Sequence, residues 1–108
     1  MCGRYALLIN DRQLWRRFVT PAFMIDEGVP DTPPRYNIAP TQPVPIIRDH
    51  QGEREVTLVS WGLVPGWVKE LRQARRPINA RSETAADSGM FRAAMKYRRC
   101  LVPASGFY

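Results

Sequence analysis

Two strand-like runs, Val44 to Arg48 and Glu53 to Trp61, stand on either side of Asp49-His50-Gln51-Gly52, and this pattern constrains the fold more than any other stretch. A turn ending in glycine, followed by Val56, Leu58 and Ser60 alternating with Thr57 and Val59, specifies an antiparallel hairpin with one face toward a core. His50 at the tip reads as a solvent-exposed turn residue. Arg4 to Ile9 reads as a short strand, apolar enough to be covered on both faces, which holds the N-terminus on a sheet. Arg98 to Ala104 reads as another strand, and Ser105-Gly106-Phe107-Tyr108 as a turn entering one more. The expected class is α+β: a curved or barrel-like, mainly antiparallel sheet with short flanking helices.

Helices are placed by caps and stops. Asn10 or Asp11 is the N-cap of a helix to about Val19, with Leu14 and Phe18 on one face and Pro21 as its stop. Trp15 and Phe18 are assigned to the core, and Arg12, Arg16 and Arg17 to the solvated face. Asp26 to Pro34, rich in Pro, Asp and Gly, reads as an ordered loop without helix or strand. Ser88 caps a second helix from about Gly89 to Tyr97, whose Phe91, Ala94 and Met95 share a face and belong to the core. Between hairpin and helix, Trp61 to Trp67 contains Gly62, Pro65 and Gly66 and is a shaped loop carrying two large aromatics. Lys69, Arg72, Arg75 and Arg76 follow it. Aromatic surface beside cations is what single-stranded nucleic acid requires, since bases stack and phosphates pair.

A chain of 108 residues makes one domain with a small core. No apolar run approaches the roughly 20 residues of a membrane span, and Arg4, Asn10, Asp11 and Arg12 interrupt the N-terminus where a signal peptide would be apolar. The expected location is therefore intracellular, in the cytoplasm or with the nucleoid, without a membrane partner. Two cysteines do not make a disulfide framework, and no Cys or His spacing matches a metal site, so neither metal nor cofactor is expected. Cys100, in the run Cys100-Leu101-Val102, reads as a buried core residue. Sixteen Lys and Arg against ten Asp and Glu give +6 and a pI near 10.0, a balance that favours an anionic partner such as nucleic acid.

The chemistry starts at Met1-Cys2-Gly3-Arg4. Met1 precedes a small side chain, and its removal leaves Cys2 with a free α-amine and a thiol two carbons apart, a 1,2-aminothiol. The α-amine has a reference pKa of about 7.7 to 8 against about 10.4 for lysine, so near neutral pH far more of it is nucleophilic. It can attack an aldehyde. The thiol then adds to the imine and closes a five-membered thiazolidine, an intramolecular step.

Met1-Cys2-Gly3-Arg4-Tyr5-Ala6 is followed in fixed order by Arg35-Tyr36-Asn37-Ile38-Ala39-Pro40, Trp61-Gly62-Leu63-Val64-Pro65-Gly66-Trp67, Ile78-Asn79-Ala80-Arg81-Ser82-Glu83-Thr84 and Arg99-Cys100-Leu101-Val102-Pro103-Ala104-Ser105-Gly106-Phe107-Tyr108. Together these strings resemble the SRAP family of abasic-site processing proteins along the whole chain. The resemblance implies an SRAP-like fold and a thiazolidine crosslink between Cys2 and the ring-opened sugar of an abasic site in single-stranded DNA, shielding the lesion. By the same resemblance Cys2 is the nucleophile and Asn79 the active-site amide, offering a donor and an acceptor to the sugar or the forming ring. Arg4 and Arg81 match positions that hold phosphates, Asn37 falls among the DNA-binding positions, and Pro40 and Trp67 match an apolar wedge where stacking is broken.

The departures are specific. Val68 stands where the family often has an aromatic, and the basic stretch between Trp67 and Ile78 is longer than expected. Members continue past Gly-Phe-Tyr into an acidic residue and, much later, a histidine that act as general acid and base. Neither is present here, and His50 sits elsewhere in the pattern. Glu83 is the one acid near Asn79 in sequence. The expected organisation is a single domain over 1–108, the N-terminal part of an SRAP domain truncated at its C-terminal end. Two alternatives stay open: an N-terminal-nucleophile cysteine peptidase or hydrolase, and a non-catalytic single-stranded DNA-binding fragment.

Overall fold

The structure, a computed structural model, describes residues 2–8 and 33–108. Its elements are β1 (Tyr5–Leu7), β2 (Arg35–Ile38), β3 (Pro43–His50), β4 (Glu53–Ser60), a 3-10 turn (Leu71–Gln73), helix α1 (Arg92–Tyr97) and β5 (Gly106–Phe107). The helix expected from Asn10 or Asp11 to Val19, with Trp15, Phe18 and its three arginines, lies outside the described residues. So does the loop from Asp26 as far as Thr32.

The hairpin is present and tighter than expected. β3 pairs antiparallel with β4 in unbroken register from Pro43↔Ser60 to His50↔Glu53, so only Gln51 and Gly52 form the turn. Both have positive φ, 52° and 82°. That is the combination of a two-residue turn whose twist matches the strands. Arg48–Glu55 (2.6 Å) and Asp49–Arg54 (3.8 Å) are opposite-charge pairs across the ladder. Exposed His50 ends β3, about 23 Å along the strand from Pro43.

Two prolines explain why β3 gains no full second neighbour among the described residues. In the β3–β4 register, residues 44, 46, 48 and 50 turn their backbone groups to β4, and 43, 45 and 47 turn theirs outward. Pro43 and Pro45 have no N–H to offer on that side. Ile47 does, and it exchanges hydrogen bonds with Leu101 (2.9 and 2.8 Å) as an isolated bridge. The register sets Pro103 opposite Pro45, where neither can donate. The strand expected over Arg98 to Ala104 is thus reduced to that one bridge.

The other sheet runs β2-β1-β5, all antiparallel, with β1 central and a bulge between Tyr5 and Leu7. The strand expected over Arg4 to Ile9 is limited to β1 among the described residues, and β2 is a strand that sequence reading did not identify. Ser105 contributes both its N–H to Ala6 O (2.8 Å) and its Oγ as acceptor of Leu8 N–H (2.9 Å). The Tyr108 hydroxyl reaches across to donate to Tyr36 O in β2 (2.8 Å).

The two sheets meet in one core of Tyr5, Leu7, Ile38, Val44, Ile46, Ile47 and Val56, with Val59 and Trp61 packed against it. The α+β class with mainly antiparallel sheets holds. The barrel-like closure does not: among the described residues the strands form two separate sheets. Leu58 is 38% exposed while Val59 faces the core, so the alternation expected along β4 is broken. The helix starts at Arg92 rather than Gly89, and Ser88 Oγ accepts Met90 N–H (3.2 Å) in the turn before it. α1 buries no residue, so Phe91, Ala94 and Met95 are not core: among the described residues this six-residue helix has no facing layer to press its apolar side against. Cys100 is likewise exposed rather than buried. Its thiol is still desolvated enough to hold its pKa above the usual value, against the pull of Arg48. Among the described residues no helix is long and apolar enough to cross a membrane.

Candidate functional site

The site is assembled at the mouth of the three-stranded sheet. Cys2 precedes central strand β1, and the Asn79 amide bonds its main chain at two points. Cys2 N–H donates to Asn79 Oδ1 (3.2 Å), and Asn79 Nδ2 donates to Cys2 O (3.1 Å). Both ends of the Asn79 amide are thus engaged by residue 2, with a second N–H on Nδ2 and a second lone pair on Oδ1 besides. Cys2 is half-buried, and its thiol points to Arg4 O (Sγ–O 3.8 Å).

Arg4 extends the cluster to β2, where its Nη1 donates to Asn37 Oδ1 (3.2 Å). The guanidinium fork carries five N–H donors, of which this bond uses one. The structure thus joins Cys2 with Asn79 and Arg4 with Asn37. Pro40, Trp67 and Arg81 make no hydrogen bond to these pairs among the described residues. Pro40 is half-buried in the turn after β2, Arg81 is exposed, and Trp67 presents 63% of its surface.

Residues with no evident role in the sequence hold this frame. Arg35 donates to Pro43 O (2.7 Å) and Gln42 Oε1 (3.0 Å), and Gln42 Oε1 also accepts Ala39 N–H (3.0 Å), which pins the turn carrying Pro40. Thr41 sits in that turn at φ 73°, an uncommon conformation for a β-branched residue. Thr41 N–H to Trp61 O (2.9 Å), Trp61 N–H to Gln42 O (3.1 Å) and Ser60 Oγ to Thr41 O (2.8 Å) hold it there. Trp61 in turn meets the Tyr5 ring edge-on, centroids 5.4 Å apart at 72°. This settles Trp61 as a packing residue rather than a free platform.

Arg76, one of the four cations after Trp67, is engaged within the fold. It donates to Ser60 Oγ (2.7 Å) and lies over Gly62, whose φ is 127° and where a Cβ would sit 3.3 Å from Arg76. The arginine thus closes the neck of the loop, which Leu63 N–H to Pro77 O (3.0 Å) fastens two residues before Asn79. The signal available in sequence was Gly62 itself. Lys69, Arg72 and Arg75 remain exposed as expected.

The Tyr5 hydroxyl is buried and finds no partner among the described residues. Burial raises the phenol above its ordinary 10.0, the Arg35 guanidinium draws it back down, and the Cys2 thiol pushes it up. Glu83 is exposed in the turns after Asn79. No group of three or more His, Cys, Asp or Glu that could hold a metal ion occurs among the described residues.

Comparison with known proteins places the chain among relatives. The sequence profile of the family described as SOS response associated peptidase (SRAP) matches residues 1–108. The chain is 33% identical over 108 residues to the abasic site processing protein YoqW of Bacillus subtilis, covering 100% of this chain and 47% of that protein. It is 33% identical over 112 residues to YoaM of the same organism, again an abasic site processing protein, covering 100% and 46%. To the abasic site processing protein HMCES of Rattus norvegicus it is 37% identical over 87 residues, covering 69% and 25%. The chain spans about half the length of the Bacillus relatives it matches.

Proposed function

The chain belongs to the SOS response associated peptidase (SRAP) family, and on that premise we propose that it captures abasic sites in single-stranded DNA covalently through Cys2. The observation that carries the reading is the two-point bond between the Asn79 amide and the main chain of Cys2. Removal of Met1 turns the Cys2 nitrogen from an amide into an amine. An acceptor at Oδ1 and a donor at Nδ2 then fix where that amine sits relative to the strand.

The steps balance without a cofactor. The amine adds to the aldehyde carbon of the ring-opened sugar, the carbinolamine loses water, and an imine remains. The thiol adds to the imine carbon, forming the C–S bond, while its proton passes to nitrogen. The product is a thiazolidine plus one water. Holding amine and thiol on one residue makes the second addition intramolecular, the arrangement that raises effective concentration most.

Arg4 and Arg81 are proposed to hold phosphates, with Asn37 at the DNA surface orienting Arg4 through its bond. Pro40 and exposed Trp67 are proposed to occupy the space where stacking is interrupted. The +6 net charge supports an anionic strand as partner, and such a role places the protein inside the cell with DNA.

Intact-mass measurement after mixing with an abasic single strand tests the reading. The expected product has the summed mass less one water, on a chain that has lost Met1. Cys2→Ser should give no stable adduct, because an oxazolidine reopens and the imine hydrolyses. An equally stable adduct in that variant would move the chemistry to a lysine. A cleaved peptide in place of an adduct would favour a hydrolase, and binding without either would leave a module for single strands.

A further inference from the structure

We propose that Ser60 is a positioning residue for the capture reaction, its hydroxyl the joint that fixes the turn carrying Pro40 against the loop neck that delivers Asn79 to Cys2. This rests on the proposed covalent capture but assigns a role to a side chain that touches neither lesion nor nucleophile.

Ser60 ends β4 opposite Pro43, which begins β3. It therefore stands at the open end of the hairpin, where the chain enters from Pro40 and leaves toward Gly62. Its Oγ bonds in both directions there: it donates to Thr41 O (2.8 Å) and accepts from Arg76 Nη2 (2.7 Å). A hydroxyl has one proton and two lone pairs, so the same oxygen serves both partners at once. The bond from Arg76 is charge-assisted, and a guanidinium polarises the hydroxyl that it donates to, which strengthens the bond passed on to Thr41.

Each side of the joint needs this hold. Thr41 has φ 73°, and a β-branched residue keeps that conformation only where its surroundings over-determine it. Its N–H is tied to Trp61 O, while its carbonyl has Ser60 Oγ as partner among the described residues. Arg76 makes no ion pair among the described residues and its Nε is buried without a partner, so its guanidinium is seated by the two Ser60 oxygens. Gly62, at φ 127° and with its Cβ position 3.3 Å from Arg76, leaves the room for that approach. Pro40 adjoins Thr41, and Asn79 follows Arg76 by three residues, at most about 11 Å of extended chain. Loss of the joint frees the turn and the neck to shift against each other while the Cys2 aminothiol stays intact.

The experiment compares Ser60→Ala with Ser60→Thr, which keeps the hydroxyl, on two aldehydes: an abasic single strand at saturating concentration, and glyceraldehyde, which reaches the aminothiol without being placed. Ser60→Ala should capture the strand about 5- to 50-fold more slowly, within the roughly 100-fold that a misplacement of about 1 Å costs, and should react with glyceraldehyde at the wild-type rate. Ser60→Thr should restore capture of the strand. Arg76→Gln should slow capture in the same way, and the double variant Ser60→Ala with Arg76→Gln should be no slower than the slower single one, as for two residues that act through one bond. Equal slowing with both aldehydes, or two single effects that multiply in the double variant, overturns the proposal. Capture by wild type with no change in Ser60→Ala refutes the joint alone, whereas a wild-type protein that reacts with glyceraldehyde but not with the strand removes the capture reading and the joint with it.

Discussion

Asn79 and Cys2 lie 77 positions apart, and each was marked by its own short string, yet nothing in either string says that the amide of one seats the backbone of the other. That pairing is a product of β1 and the loop neck, which is why the roles were legible and the contact was not. Asn79→Ala removes both bonds, and adduct formation should slow by about 10- to 100-fold through lost alignment, read as initial rate with saturating strand. Unchanged rates would make Asn79 a turn residue. Tyr5 gives a second residue-scale expectation. Its buried hydroxyl lacks a partner among the described residues, so Tyr5→Phe should stabilise the fold by about 1 kcal/mol, since unsatisfied buried groups typically cost about 1 to 3 kcal/mol. The phenol pKa is raised in the folded state, so the folded chain holds that proton more tightly than the unfolded one. Its contribution is intact below pH 10 and lost as pH rises through the folded value. Melts between pH 9 and 11 should fall less steeply in Tyr5→Phe; parallel curves would contradict the assignment.

The hairpin was the most legible element because two strand-like runs around a turn ending in glycine encode local geometry. Even so, the turn is two residues rather than four, since cross-strand charge pairs at Arg48–Glu55 and Asp49–Arg54 extend the ladder over positions that read as loop. Helix α1 failed in the opposite sense: its apolar spacing is real, but periodicity reports a face and not what covers it. The same limit applies to Leu58 and Cys100. Gln51 adopts φ 52° where asparagine is favoured, so Gln51→Asn should stabilise the hairpin by about 0.5 to 1 kcal/mol, and a lowered melting temperature would show that the turn has another conformation in solution.

At the scale of the molecule, Tyr97, Leu101, Val102, Phe107 and Tyr108 are all exposed, and β5 is an edge of its sheet among the described residues. A short apolar edge is a template for pairing with another chain. The 108-residue protein should therefore associate as concentration rises in sedimentation velocity, and Phe107→Lys, which places a charge on that edge, should reduce the association. A monomer at every concentration would mean that the surface is covered in solution. Net charge and the order of motifs were readable at this scale from residues alone. The separation into two sheets was not, because it depends on where Pro43, Pro45 and Pro103 withhold donors, a matter of register between distant segments.

Both bonds from Asn79 end on backbone atoms of residue 2, and neither touches sulfur. Address and reagent are consequently separable in this protein: the amide recognises a position in the chain, whatever side chain stands there. An alanine or serine at that position would be delivered to the same spot with the same amine, so unreactive variants are faithful decoys that compete for lesions without sealing them. The same independence opens the position to other nucleophiles, since a new reactive group introduced at residue 2 would inherit a seat already built for it.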